Sequence, residues 1–240
     1  MQFASPQLAD TELTRAYTEY YYPKPGSGQS VRYESTPETL LHQFFLRLQQ
    51  RIGPLEGLKM LDYGCGHGVL SRIGQQFGLI TTGIEQDPIA RGIAAAIPKM
   101  RAYANLKELR MAEPRKQFDL VLLWNVIEHL RYPWCDLQEL HDVLCPSGYL
   151  GALTPNVGCL RARLERGKWV NYENPTHFYY FDSKSLRRVL NKAGYTGMSE
   201  WKLKFRYPHH GVLQRWFYEV LFLAGLSDGL FYFVKNGNKP

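Results

Sequence analysis

Three glycines at alternate positions follow directly on an apolar segment that ends in a carboxylate: Leu61-Asp62-Tyr63-Gly64-Cys65-Gly66-His67-Gly68. No other run constrains the fold of this chain as much. Leu58, Met60 and Leu61 lead into it as a strand, and Val69, Leu70, Ile73 and Phe77 recur after it at helical spacing. Glycine tolerates positive φ and lets backbone approach a ligand where a Cβ would obstruct. The helix that follows turns its unpaired N–H groups back on the loop, which suits a ligand bearing a carboxylate.

The glycine spacing narrows the choice of ligand. The dinucleotide fingerprint G-x-G-x-x-G would need its third glycine at position 69, which is Val69, so the pattern here is G-x-G-x-G. A second apolar run, Gly78-Leu79-Ile80-Thr81-Thr82-Gly83-Ile84, ends in Glu85, about 23 residues beyond Asp62. An acidic side chain at the tip of a second strand is placed to accept both hydroxyls of a ribose, so Glu85 alone marks a nucleoside without identifying it.

A further buried strand, Phe118-Asp119-Leu120-Val121-Leu122-Leu123-Trp124-Asn125, runs into Val126-Ile127-Glu128-His129-Leu130. After a helix comes Leu144-Cys145-Pro146-Ser147-Gly148-Tyr149-Leu150-Gly151-Ala152-Leu153-Thr154-Pro155-Asn156. In order and separation, LDYGCGHG, GIEQD, FDLVLLWNVIEHL and LCPSGYLGALTPN resemble the class I S-adenosylmethionine-dependent methyltransferases. The resemblance covers about residues 38–205 and is nearest the small-molecule branch of ubiquinone-biosynthesis and natural-product type. Asn174-Pro175-Thr176-His177-Phe178-Tyr179-Tyr180-Phe181-Asp182 fits that branch too. Where many relatives carry an acidic residue near the adenine, this chain has Ala104-Asn105-Leu106.

The resemblance implies an α/β fold: a Rossmann-like, seven-stranded, mostly parallel sheet with helices on both faces. It implies that Asp62, Gly64, Cys65, Gly66 and Gly68 hold the amino acid end of S-adenosylmethionine, with Asp62 acting on its ammonium. Glu85 would take the ribose hydroxyls, Gln86, Asn105 and Leu106 would flank the adenine, and Trp124 and Asn125 would line the methionine moiety. Read without the resemblance, the glycines are a bare turn and Asp62 a helix-capping carboxylate.

The remaining chain divides by composition. Residues 1–36, with Tyr17, Tyr20, Tyr21 and Tyr22 ahead of Pro23-Lys24-Pro25-Gly26, read as an N-terminal cap whose Tyr21, Tyr22, Arg32 and Tyr33 close over cofactor or substrate. Thr36 and Pro37 open a helix whose Leu40, Leu41, Phe44, Phe45, Leu48 and Ile52 share one face, and the enzyme domain then runs over 37–240. Strands and helices alternate to about residue 155, which requires a parallel sheet covered on both faces and places ligands at the carboxyl ends of its strands. After the fifth strand an aromatic insertion, about 157–182, carries Trp169, Tyr172, His177, Tyr179 and Tyr180. Trp169 and Tyr179 either grip substrate there or pack the insertion onto the domain.

Residues 212–225 form an apolar helix with a narrow polar stripe of Gln214, Arg215, Tyr218 and Glu219. Exposing about seven large apolar side chains would forfeit about 10–20 kcal/mol, so this face meets the sheet, a second copy of the chain or a membrane surface. It is too short to span a bilayer. Leu230-Phe231-Tyr232-Phe233-Val234 reads as a final strand added at an antiparallel edge.

Length and charge are consistent with one enzyme domain: 240 residues, 45% hydrophobic, net charge +7. Basic residues are dispersed, the densest group being Arg161, Arg163, Arg166 and Lys168, which favours an anionic small acceptor or acidic carrier over nucleic acid. Cys65, Cys135, Cys145 and Cys159 form no C-x-x-C pair, so neither disulfides nor a metal site is expected. Met1 to Pro6 lack the basic start and apolar stretch of a signal peptide, which points to a reduced, cytoplasmic protein.

A hydroxyl acceptor needs a base, and His129 and His177 are the candidates because imidazole titrates near working pH. Each has a second reading: His129 bonding a backbone carbonyl to stiffen its loop, His177 acting as a latch. His209 and His210 read as solvated. Against a small-molecule O- or N-methyltransferase stand two other functions. One is an NAD-dependent oxidoreductase, disfavoured by Val69; the other is a cofactor-binding protein that methylates a macromolecule or serves as a non-catalytic partner.

Overall fold

The computed structural model describes residues 2–4, 9, 11–12, 15–16, 38–201 and 227–236. Tyr21, Tyr22, Arg32, Tyr33, His209, His210 and the helix expected over 212–225 lie outside the described residues.

Seven strands form the main sheet, in the order β4-β3-β2-β5-β6-β9-β8. They are β2 (Lys59–Tyr63), β3 (Ile80–Ile84), β4 (Arg101–Tyr103), β5 (Phe118–Trp124), β6 (Leu144–Pro155), β8 (Ser199–Glu200) and β9 (Gly229–Lys235). The first five are parallel, with Leu61 opposite both Thr82 and Val121, whereas β9 runs antiparallel to β6 and to β8. The short β8 is therefore the edge, and the segment Leu230–Val234 is interior: the expectation that it adds an edge is corrected. Its central residues are apolar because both of its neighbours and both of its faces are covered.

Helices cover both faces. Alternation along β5 sends Leu120 and Leu122 to one side and Val121 and Leu123 to the other. On the first side pack α1 (Glu38–Ile52) through Leu41, Phe44, Phe45 and Leu48, and α2 (Val69–Gln76) through Leu70 and Ile73. On the second lie α4 (Leu106–Ala112), α5 (Pro133–Val143) and α7 (Ser183–Lys192). A smaller cluster of Cys65, Ala94 and Met100 sits beneath α3 (Pro88–Ala95).

Local chemistry sets the helix starts. Asp87 accepts from the N–H groups of Ile89 and Ala90 with Pro88 at the first position, and Asp182 forms a reciprocal capping box with Ser185. The insertion folds around its own centre of Cys159, Ala162, Trp169 and Tyr180 and includes α6 (Leu160–Glu165). It is tied to the N-terminal strand β1 (Gln2–Phe3), which pairs antiparallel with β7 (Tyr179–Tyr180). Among the described residues no helix is long and apolar enough to cross a membrane.

Candidate active site

Strand order reverses between β2 and β5, so the loops leaving these two strands splay apart and open a crevice at their carboxyl ends. The glycine loop lines one side. Gly64, Gly66 and Gly68 all adopt positive φ, at 76°, 51° and 77°. Two of them are required by the protein itself rather than by a ligand. A Cβ on Gly64 would stand 2.5 Å from Val126 Cγ2, and one on Gly68 would stand 2.6 Å from Ile97 Cδ1. Cys65 turns its thiol into the core beside Ala94 and Met100, leaving only backbone to face the loop.

Asp62, at the penultimate position of β2, is 2% exposed and accepts a 2.8 Å bond from Ser71 Oγ in the first turn of α2. It therefore steadies the helix start as well as facing the loop. Burial outweighs the Ser71 hydrogen bonds and pushes its carboxyl up to about 7. Glu85 follows β3, with Oε2 accepting from the Gly66 N–H (2.9 Å) and Oε1 from that of Asp87 (2.9 Å). Burial raises this carboxyl too. Each Glu85 oxygen retains a second lone pair. Gln86 is exposed beside it, its carbonyl bonded to Arg91.

Asn105 and Leu106 stand at the start of α4, just after β4. Asn105 Oδ1 caps α4 by accepting from the Glu108 N–H, and Leu106 is buried in the main core. Trp124 leans edge-on against Phe44 (4.9 Å) at the tip of β5, and Asn125 takes a left-handed turn at φ 54°. Asparagine is the non-glycine residue best suited to that conformation. Trp169 packs edge-on against Tyr172 at the centre of the insertion, 1% exposed, so its ring is not on a substrate-facing surface. Tyr179 is half-buried, its hydroxyl donating to the Arg131 carbonyl.

The two histidines meet edge to face with ring centroids 4.6 Å apart. His177 is buried, and both of its nitrogens are engaged: Nδ1–H donates to the Asn171 carbonyl (3.1 Å) and Nε2 accepts from Asn174 Nδ2 (3.1 Å). His129 Nδ1 lies 3.0 Å from the Thr176 carbonyl, which can only accept, so Nδ1 carries the proton and Nε2 the lone pair. Burial lowers His129 to about 4, and burial together with His129 lowers His177 to about 2. Both rings are thus neutral at working pH.

Glu128 is the site residue that sequence reasoning passed over. It is 1% exposed; Oε2 accepts from Thr154 Oγ1 (2.9 Å), Oε1 has no hydrogen-bond partner, and the Phe178 N–H donates to its carbonyl. Burial pushes its carboxyl up to about 8. Glu128, His129 and His177 each bring one potential metal-ligand atom to within 4.8 Å of the others. The signal lay in the sequence as a carboxylate adjoining a histidine shortly after the apolar run Leu120–Leu123.

A parallel α/β sheet with this reversal and an antiparallel penultimate strand, bearing a glycine loop with two buried carboxylates, defines a nucleoside-binding domain. The family model described as "Methyltransferase domain" matches residues 33–200, and the chain belongs to this family of S-adenosylmethionine-dependent methyltransferases. It is 36% identical over 120 residues to a ubiquinone biosynthesis O-methyltransferase of Rhodopseudomonas palustris, covering 47% of this chain and 46% of the relative. It is 33% identical over 155 residues to one from Cereibacter sphaeroides, covering 59% and 61%. The chain thus spans about half to three-fifths of the length of these curated relatives. Its fold is shared with the plantazolicin methyltransferase BpumL solved with a pentazolic desmethylPZN analog and SAH (TM-score 0.63, 16% identity, 95% of this chain and 98% of that one). It is also shared with a SAM-dependent methyltransferase from Archaeoglobus fulgidus (TM-score 0.58, 16% identity, 92% and 99%).

Proposed function

We propose that this protein transfers the methyl group of S-adenosylmethionine to a hydroxyl or amine of a small molecule in a biosynthetic pathway. The observation that carries the reading is the pair of buried carboxylates, Asp62 and Glu85, at adjacent strand ends around the positive-φ glycine loop. A cationic amino group and a ribose are the ligand features such a pair suits. The similarity to ubiquinone biosynthesis O-methyltransferases supports hydroxyl over amine as acceptor.

The cofactor, when bound, supplies a methyl carbon already activated by a sulfonium. The chain aligns the nucleophile and excludes water, and orientation of this kind contributes about 7–11 kcal/mol. His129 is the residue we assign to the acceptor proton, with its tautomer set by the Thr176 carbonyl. His177 and Asn174 brace Thr176 and hold that ring in place. With the acceptor in place, His129 would take up the proton that the acceptor hydroxyl or amine gives up, while Asp62, Glu85 and the glycine loop would hold the methyl donor.

Thermal unfolding with S-adenosylhomocysteine and, separately, NAD tests the reading. S-adenosylhomocysteine at about 100 times its Kd stabilises by about 2.7 kcal/mol, Asp62→Ala and Glu85→Ala weaken the effect, and NAD has none. A shift with NAD alone would overturn the methyltransferase assignment.

A further inference from the structure

Asp62 and Glu85 present the loop with two carboxylates, and no ion pair among the described residues reaches either one. On α2, Ser71 donates its hydroxyl to Asp62, and the adjoining Arg72 is paired with Glu38 of α1. On α3, Arg91 Nη1 donates to the carbonyl oxygens of Glu85 and Gln86, not to a carboxylate. Asp87 adds a further negative charge near Glu85, while the loop contributes the Cys65 thiol and His67. Neighbouring strands place Gly83 and Leu122 opposite Asp62.

Two buried carboxylates without a cation cannot both ionise cheaply, because each lacks water and each repels the other. We propose that the ligand-free protein stores a proton on this pair, chiefly on Asp62, and that the ammonium of the incoming cofactor displaces it to solvent. Cofactor binding is then coupled to proton release. The assignment to Asp62 follows from its environment: Glu85 receives two backbone N–H bonds that stabilise its anion, whereas the burial of Asp62 outweighs what Ser71 provides. A cation arriving within about 4–6 Å reverses the balance by favouring the charged form. This inference rests on the methyltransferase reading, but fails separately from it.

The test is isothermal titration calorimetry of the full chain with S-adenosylhomocysteine in buffers of different ionisation enthalpy. With the Asp62 carboxyl at about 7, binding releases about 0.9 proton at about pH 6 and about half a proton at about pH 7. Over the same range Kd weakens as pH falls, approaching tenfold per unit, with the range kept below the ligand amine's own titration near about 8. Asp62→Asn, of the same shape, binds with a proton count near zero and a nearly flat Kd. Wild-type protein that binds with no proton released would overturn the proposal, as would an Asp62→Asn variant that releases as many as wild type. Absence of binding at every pH would overturn both the proposal and the methyltransferase reading.

Discussion

Gly64 and Glu128 show how single positions in this protein are decided by neighbours far away in sequence. Gly64 is glycine for two separable reasons, its positive φ and the Val126 methyls that occupy the place of a Cβ. Gly64→Ala is therefore expected to cost about 1–3 kcal/mol in urea unfolding, through strain and overpacking together. Adding Val126→Ala removes only the overpacking, so the double variant should be less destabilised than the sum of the two single changes. Glu128 makes its contribution through pH. Its folded carboxyl lies at about 8, above the ordinary 4.5, so its stabilising contribution is present below about 4.5 and is lost as pH rises through about 8. Unfolding midpoints of Glu128→Gln, compared with wild type at about pH 6 and about pH 9, should show the variant gaining relative stability at the higher pH. His129 and His177 act in the opposite sense: their depressed values give stability that is present above about 6.5 and lost as pH falls towards about 4 and below.

At the scale of elements, caps and periodicity were the legible part. Leu40, Leu41, Phe44, Phe45 and Leu48 share one face in sequence and are the buried face of α1 in the structure. Leu61 and the apolar run Leu120–Leu123 likewise appear as central strands with no exposed side. Asn105 shows what an element start adds: its place after a strand invites a ligand role, and the same short amide is also a helix cap in the structure. Asn105→Ala should lower stability by about 0.5–2 kcal/mol, and Asn105→Asp should retain most of the wild-type value. The histidine cluster was legible as residue types and, for His129, as a ring bonded to a backbone carbonyl, but not as particular partners. Whether an imidazole nitrogen meets Thr176, Asn171 or Asn174 depends on how the insertion returns to the β5 loop, which no local pattern encodes.

For the molecule as a whole, the parallel half of the sheet followed from alternation, because a strand, helix and parallel strand have one favoured handedness and short connections. The antiparallel half did not, since nothing local to Leu230–Val234 records that it enters between β6 and β8. That insertion governs the order in which the sheet can be completed. Within the main sheet β8 has β9 as its pairing neighbour, and β6 meets β5 on one side and β9 on the other. A chain halted during synthesis before residue 229 would leave β8 without that neighbour and the long strand β6 with an open row of hydrogen-bonding groups. Such an edge is a template for pairing with other chains. A ribosome-bound or truncated chain ending at residue 228 should therefore aggregate where the chain carrying β9 stays monodisperse, and the interval of synthesis before Gly229–Lys235 emerges becomes the one of greatest hazard for this fold.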